Sequence, residues 1–215
     1  MKIFLCLRSF LPDQVAGTEV YVGALAAGLL EKGHTVAVVR PNYTASDFTS
    51  YHYNSIQVLE YPESSYNDRE LQMGIKTPVG LARFEELLKR ERPDVLHFHE
   101  ISGSNGITLA HLRVAGALNI RIYFTFHLIR YACNTSTLLY KNKYPCDGVI
   151  RLTKCSVCSL HQKGVPGAAA NVAGTASVLL TRLGVDLKGT SSITRLLKYG
   201  HYTARHKKSL FELVR

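Results

Sequence analysis

Residues 1–40 contain the pattern that most restricts the fold, two short apolar runs separated by one amphipathic segment. Residues 3–7 and 35–39 are continuous apolar runs, which is typical of buried strands. Between them, apolar side chains recur at helical spacing over residues 17–32, and Gly33 follows in the position of a glycine cap. A strand, a helix and a strand so close in sequence must pair in parallel, so this segment predicts a βαβ unit.

The same alternation continues to residue 127. Further strands are predicted at 56–59, 95–99 and 122–126, and further helices at 81–93 and 107–118. Alternating strands and helices predict an α/β fold with a Rossmann-like, doubly wound parallel sheet.

After His127 the alternation stops. Residues 128–165 are polar and contain four of the five cysteines, so we expect a Cys-rich insertion there. A helical C-terminal part is predicted, with helices at 172–183, 193–201 and from Lys207. No linker divides the sequence, and we therefore expect one domain over residues 1–215.

The charge is uneven along the chain. The formal net charge is +10, yet only three acidic residues, Asp147, Asp186 and Glu212, follow Glu100. A basic second half favours anionic partners, including an anionic membrane surface, although a solvated basic surface explains it equally well. The apolar run before Arg8 is too short for a signal peptide, so we expect a cytoplasmic protein with reduced cysteines. The inner face of the membrane is the location expected if the basic half contacts lipid.

The first candidate site is the segment Ala16-Gly17-Thr18-Glu19, which follows the first strand and opens a helix. A glycine there permits close approach of a ligand, and the N–H groups of a first helical turn suit an anion. The three-glycine dinucleotide fingerprint is missing. A simple helix-opening turn, with Glu19 favourable to the helix dipole, is the structural alternative.

The second and third candidates are histidines at strand ends. His97 and His99 lie on one face of the predicted strand 95–99, with Glu100 directly after them. We expect His97 to be a buried structural residue and His99 to be the better functional candidate. His127 follows the last predicted strand, where a neutral imidazole can bond to a sugar hydroxyl or a phosphate oxygen.

The cysteines form a separate pattern. Cys133, Cys146, Cys155 and Cys158 follow a C-x12-C-x8-C-x2-C spacing, and the final pair can chelate one ion. They predict one structural Zn²⁺, with His161 as a substitute for one cysteine and two disulfides as the competing arrangement. Cys6 lies in the first strand and is expected to be a core residue.

These segments, taken in order, resemble family 4 glycosyltransferases. The resemblance rests on the loop at 16–19, on the run Leu-Glu-Lys-Gly-His-Thr-Val-Ala-Val-Val at 30–39, on Arg-Pro-Asp-Val-Leu-His-Phe-His at 92–99 and on Phe-Thr-Phe-His at 124–127. Pro-Cys-Asp-Gly at 145–148, followed by the final cysteine pair, resembles a subgroup of that family.

The resemblance implies the N-terminal, acceptor-side half of a two-domain GT-B fold and a retaining glycosyltransferase. It implies that Gly17, Thr18 and Glu19 lie against the phosphate and sugar of a nucleotide-sugar donor, and that His127 is catalytic. Two positions depart from the family pattern. Ala16 replaces the first glycine of a Gly-Gly pair, and Leu128 replaces the Asp that usually follows the histidine.

The family's donor domain carries two glutamates eight residues apart, and no such pair follows residue 100. We therefore expect the donor-binding domain to lie outside this sequence and the chain alone to be inactive. A glycan or lipid-linked molecule is the expected acceptor. Two alternatives remain: a zinc-containing nucleic-acid-binding protein, which the lack of finger spacing and stacking aromatics argues against, and a non-catalytic sugar-binding module.

Overall fold

The structure is a computed structural model that describes residues 1–64, 76–101, 106–127, 129, 133 and 135–183, with isolated positions from 194 to 208. The chain divides into two compact units, residues 1–127 and 128–213. Each unit has a separate apolar core.

The first unit is an α/β fold built on one six-stranded sheet. In chain order its elements are β1 (Lys2–Cys6), α1 (Gly17–Glu31), β2 (Thr35–Asn42), β3 (Thr49–Tyr53), β4 (Ile56–Pro62), α2 (Leu81–Glu91), β5 (Val95–Phe98), α3 (Leu109–Ala117) and β6 (Arg121–Phe124). The strand order is β3-β4-β2-β1-β5-β6, and every pairing is parallel except that of β3 with β4. The predicted Rossmann-like sheet is confirmed.

The sequence of β1 is an uninterrupted apolar run because the strand is buried. It lies between β2 and β5, and Phe4, Leu5 and Cys6 have no exposed surface. One face packs with Val22 and Ala26 of α1, so both faces of the strand must be apolar.

The antiparallel strand β3 was not predicted. Its sequence, Thr-Ser-Tyr-His-Tyr, has no apolar run because it is an edge strand with one exposed face. At the opposite edge, β6 ends at Phe124, two residues before the predicted end. Phe126 and His127 therefore lie in the loop that leaves the sheet.

Helix α3 begins after a capping box. The Thr108 hydroxyl accepts a hydrogen bond from the Ala110 N–H, while the Thr108 N–H donates to His111 Nδ1 at 3.1 Å. His111 is fully buried, and its Nε2 lies 3.0 Å from the Tyr61 hydroxyl. Because Nδ1 accepts from the backbone, Nε2 carries the proton and donates to Tyr61.

Up to residue 183, the described part of the second unit contains a short antiparallel hairpin and two helices. Its elements are β7 (Leu139–Tyr140), β8 (Tyr144–Pro145), α4 (Leu152–Gln162) and α5 (Gly167–Arg182). Val157, Leu160 and Ala170 form its core, with Tyr140 and Val165 packed against them.

One prediction was wrong here. The sequence predicted irregular structure at 128–165, whereas α4 is a helix. The helix predicted at 172–183 is present as α5, although it begins earlier, at Gly167. The buried face of α4 includes Ser156 and Ser159, so apolar periodicity is weak although the helix is packed.

The helices predicted at 193–201 and from Lys207 lie largely outside the described residues. Isolated positions in both, such as Leu197 and Lys208, are helical. Within the described part of the chain, each helix is too short or too polar to cross a membrane. That residues 1–215 form one half of a GT-B fold stays a prediction.

Candidate functional site

The first unit brings its candidate residues to one edge of the sheet. β1 and β5 are neighbours at the centre of the strand order, where the direction of winding reverses. Ligands of such sheets bind at the carboxyl ends of strands at this point. Arg8 and Ser9 follow β1, His99 and Glu100 follow β5, and His127 follows β6.

Two of the predicted histidines contact each other. His99 Nδ1 lies 3.2 Å from His127 Nε2, within hydrogen-bond distance. The His99 N–H donates to the Cys6 carbonyl at 2.9 Å, which continues the β1–β5 pairing and fixes the position of His99. His99 is fully buried, whereas His127 is partly exposed, so only His127 is open to a ligand in this structure.

Burial keeps both imidazoles neutral near pH 7. It lowers the pKa of His99 to about 3, with further lowering by His97 and His127. Burial also lowers the pKa of His127, which the carboxylate of Glu19 opposes. With Nε2 of the exposed ring engaged by His99, its Nδ1 can form one further hydrogen bond, but a neutral imidazole pair supplies no positive charge.

The side chain of His97 lies at the carboxyl edge of the sheet and contacts Thr125 and His99. Its Nε2 lies 2.7 Å from the Thr125 hydroxyl, and its ring centroid lies 4.0 Å from that of His99. The burial of the two histidines is the reverse of what was expected, since His97 is half-buried and His99 has no exposed surface. The roles assigned to them stay predictions.

The loop 16–19 opens α1 as predicted. The N-cap residue Ala16 has extended backbone, and no side chain caps this helix end. A Cβ added at Gly17 would have nothing within 4 Å, so the space above this residue is open. Gly17 is exposed and Thr18 is partly exposed, which leaves both accessible to a ligand.

Unlike Gly17 and Thr18, Glu19 has a buried side chain. It is 3% exposed, and its Oε1 accepts a hydrogen bond from the Ser9 hydroxyl at 3.0 Å. Its carboxylate raises the pKa of His127, against the effect of burial. Glu19 therefore connects the first turn of α1 to the strand ends.

Two buried polar atoms at this edge make no hydrogen bond to any residue that the structure describes. They are Oε2 of Glu19 and Nε2 of His99. An unpaired buried polar atom costs about 1–3 kcal/mol, and such atoms concentrate at functional sites.

Glu100 completes the edge on the β1 side. Its Oε2 accepts a hydrogen bond from the Arg8 N–H at 3.3 Å, which ties the loop after β5 to the loop after β1. Burial raises its pKa, while the Arg8 N–H lowers it. The carboxylate holds two loops together at the candidate site.

Tyr21 is a member of this cluster that the sequence analysis missed. Its ring centroid lies 5.0 Å from that of His127 and 5.9 Å from that of His99, and the side chain is 46% exposed. Residues four apart share one helix face, so Tyr21 lies on the same face of α1 as Gly17. That spacing was the signal available in the sequence.

The four predicted metal ligands occur in the second unit. Cys133, Cys146, Cys155 and Cys158 line one cavity of about 30 Å³, and His161 is not among its lining residues. All five cysteines are free thiols. Among the residues that the structure describes, no three His, Cys, Asp or Glu side chains already form a group with metal-binding geometry.

A glycosyltransferase family 4 profile matches residues 15–169. A relative named "Uncharacterized 42.6 kDa protein in cps region", from Klebsiella pneumoniae, is 26% identical over 159 residues. The aligned segment covers 66% of this chain and 40% of the relative. The profile match includes the helix-opening loop, both strand-end histidines and the four cysteines of the second unit. The chain belongs to glycosyltransferase family 4.

Proposed function

We propose that this chain is the acceptor-side part of a nucleotide-sugar-dependent, retaining glycosyltransferase. The observation that carries the proposal is the cluster of His127, His99, Glu19 and Tyr21 at the carboxyl edge of the sheet, beside the open first turn of α1. Family membership supplies the reaction class, and the cluster supplies groups able to orient a sugar.

His127 is the proposed catalytic residue. It is the exposed member of the histidine pair, and its pKa is lowered, so it is a neutral hydrogen-bonding group at neutral pH. Such a group can orient a sugar hydroxyl through a hydrogen bond, and because it is uncharged it does not attract an anion to that position. His99 acts through His127 as a positioning residue, because it is fully buried and contacts the exposed ring.

The first turn of α1 is the proposed phosphate contact. Gly17 leaves open space for close approach, and the uncapped N–H groups of a helix start attract an anion. The buried carboxylate of Glu19 lies in the same turn, so it would accept a hydrogen bond from a hydroxyl of the sugar and repel the phosphate.

The donor would be bound mainly by a domain outside this sequence, as the family resemblance implies. The chain covers 40% of its Klebsiella pneumoniae relative, which leaves room for such a domain in a protein of that length. The cps-region origin of the relative supports a glycan or lipid-linked acceptor in cell-envelope polysaccharide synthesis. The basic second half suits contact with an anionic, cytoplasmic membrane face.

The cysteines have no catalytic part in this proposal. Zinc held by four sulfurs has no open position for water or substrate, so it would be structural.

The proposal is tested with the complete natural protein, a panel of nucleotide-sugars and a lipid extract as acceptor. Transfer of labelled sugar to the lipid fraction, with NMR of the product showing the anomeric configuration of the donor, is the expected result. Inversion of that configuration would exclude the retaining mechanism. Binding of glycans without transfer from any donor would favour a non-catalytic sugar-binding module.

A further inference from the structure

Four thiols from separate stretches of the second unit converge on one cavity. Cys133 precedes the β7–β8 hairpin, Cys146 follows it, and Cys155 and Cys158 lie three residues apart on one face of α4. The cavity, of about 30 Å³, has room for one ion and not for an organic ligand. We propose that these four cysteines hold a structural zinc ion that joins the hairpin to α4.

The number and type of donor atoms fit zinc. Four sulfur ligands complete the tetrahedral shell that zinc adopts in structural sites, and all four cysteines are free thiols. His161 is not needed as a ligand, since it does not line the cavity. The thiols do not yet have ligating geometry in the described chain, so the ion draws the sulfurs inward when it binds.

Polar groups already contact two of the sulfurs. Cys133 Sγ lies 3.0 Å from the Thr135 hydroxyl, and Cys158 Sγ accepts from the Lys141 N–H at 3.4 Å. Hydrogen bonds of this kind to the ligand atoms orient them around a bound metal.

A cation lies beside the same cavity. Lys154 is one of its lining residues, and Asp147 holds the Lys154 ammonium at 2.7 Å. Zinc with four thiolates has a net charge of −2, so a neighbouring ammonium lowers the cost of placing that charge in a partly buried site.

The second unit needs a cross-link. β7 and β8 pair over only two residues each, and an isolated hairpin is marginally stable in water. Among the residues described in this unit, the buried core consists of Val157, Leu160 and Ala170, which are small or medium-sized side chains. Zinc binding replaces the four thiol protons, which are released to solvent, and the binding energy then stabilises the folded hairpin and helix.

The test is metal analysis of the chain purified under reducing conditions without added zinc. About one zinc per chain is expected, and Co²⁺ exchanged into the site should show the visible absorption of a tetrahedral thiolate complex. The double variant Cys155→Ser, Cys158→Ser should lose the metal. The matched control is Cys6→Ala, which removes a thiol of the first unit and should retain it.

The Co²⁺ spectrum of the unmodified chain decides the matter even if the double variant fails to fold. An unmodified chain that takes up neither Zn²⁺ nor Co²⁺ would overturn the proposal, whether its thiols react with a thiol reagent or are paired in disulfides. Full metal content in the double variant would also overturn it.

Discussion

At the residue scale, the candidate site is a set of neutral or buried groups around one exposed imidazole. His127 is accessible, His99 and Glu19 lie behind it, and Tyr21 packs against the ring from α1. Since the surrounding side chains fix the orientation of His127, its contribution to catalysis can be tested separately from the fold.

We expect His127→Ala to reduce turnover of the complete enzyme by about 10²–10³-fold, because a positioned hydrogen-bonding group is lost at the reacting sugar. The fold should persist, since the side chain is partly exposed and outside the sheet. Steady-state kinetics and circular dichroism measure both effects.

The matched control is His52→Ala. His52 is exposed on the edge strand β3, at the opposite side of the sheet from β6. It should keep the activity of the unmodified enzyme. Equal activity in both variants would mean that His127 takes no part in the reaction.

A second residue-scale prediction concerns donor access. Gly17→Val should raise the apparent KM for the nucleotide-sugar about tenfold or more, because the added side chain fills the space above the helix start. That space is free of protein atoms, so the fold should not change. Gly28→Val, on the same helix with equally open surroundings, is the control and should leave KM unchanged. Similar donor KM values in both variants would contradict the proposed phosphate contact.

A third residue-scale prediction concerns acid stability. Burial lowers the pKa of His111 to about 3, whereas an unfolded histidine titrates near 6.5. Between these values the unfolded state binds the extra proton, so the free energy of unfolding falls as pH decreases below about 6.5. The expected slope is about 1.4 kcal/mol per pH unit.

His111→Gln removes this titration but keeps a side chain that can complete the capping box. It should be less stable at pH 8, since the ring packing against Phe84 is lost, and should show a shallower decline in acid. Urea denaturation at several pH values gives the difference. Parallel pH curves for the two proteins would show that His111 does not titrate in this way.

At the element scale, α4 and α5 approach each other closely at one glycine. A Cβ at Gly174 would lie 2.6 Å from Val157 Cγ2 and 2.9 Å from the Val157 backbone nitrogen. Backbone atoms cannot move aside as a flexible side chain can, so the helices must separate to admit even a methyl group.

We therefore expect Gly174→Ala to destabilise the second unit by about 1–3 kcal/mol. Gly167→Ala, at the start of the same helix with nothing within 4 Å, should be neutral or slightly stabilising because alanine favours helix. Chemical denaturation, with hydrogen exchange of the α4 amides to locate the effect, compares the two. Equal stability of both variants would contradict close α4–α5 packing.

At the scale of the whole molecule, the proposed reaction needs groups on both sides of a cleft. The described candidate residues of the first unit supply one side, the helix start and the imidazole pair. Neutralisation of a leaving nucleotide diphosphate and positioning of its sugar need a second set of groups.

We accordingly expect residues 1–215 alone to show no turnover of any nucleotide-sugar. A coupled assay for nucleotide diphosphate release, run beside the complete natural protein as positive control, measures this. Release by the isolated chain above the rate without enzyme would show that the first unit holds a complete donor site.

The sequence determined the order of elements in the first unit. Buried parallel strands are apolar on both faces and their helices are amphipathic, so β1, α1 and β2 are visible as local periodicities. The strand-end positions of His99 and His127 follow from the same periodicity. Two elements lack a clear contrast between apolar and polar positions and were not predicted. They are the polar edge strand β3 and helix α4, whose buried face includes serines.

Only the tertiary structure decided which residues meet. The His99–His127 contact depends on the pairing of β5 with β6, and the Tyr21 contact on the start of α1 reaching the same edge of the sheet. No local pattern encodes these meetings of segments distant in sequence. The cysteine spacing indicated four ligands, yet their convergence on one cavity required the hairpin and α4 to pack together. Periodicity records burial along each segment, while contacts between segments are set by packing in three dimensions.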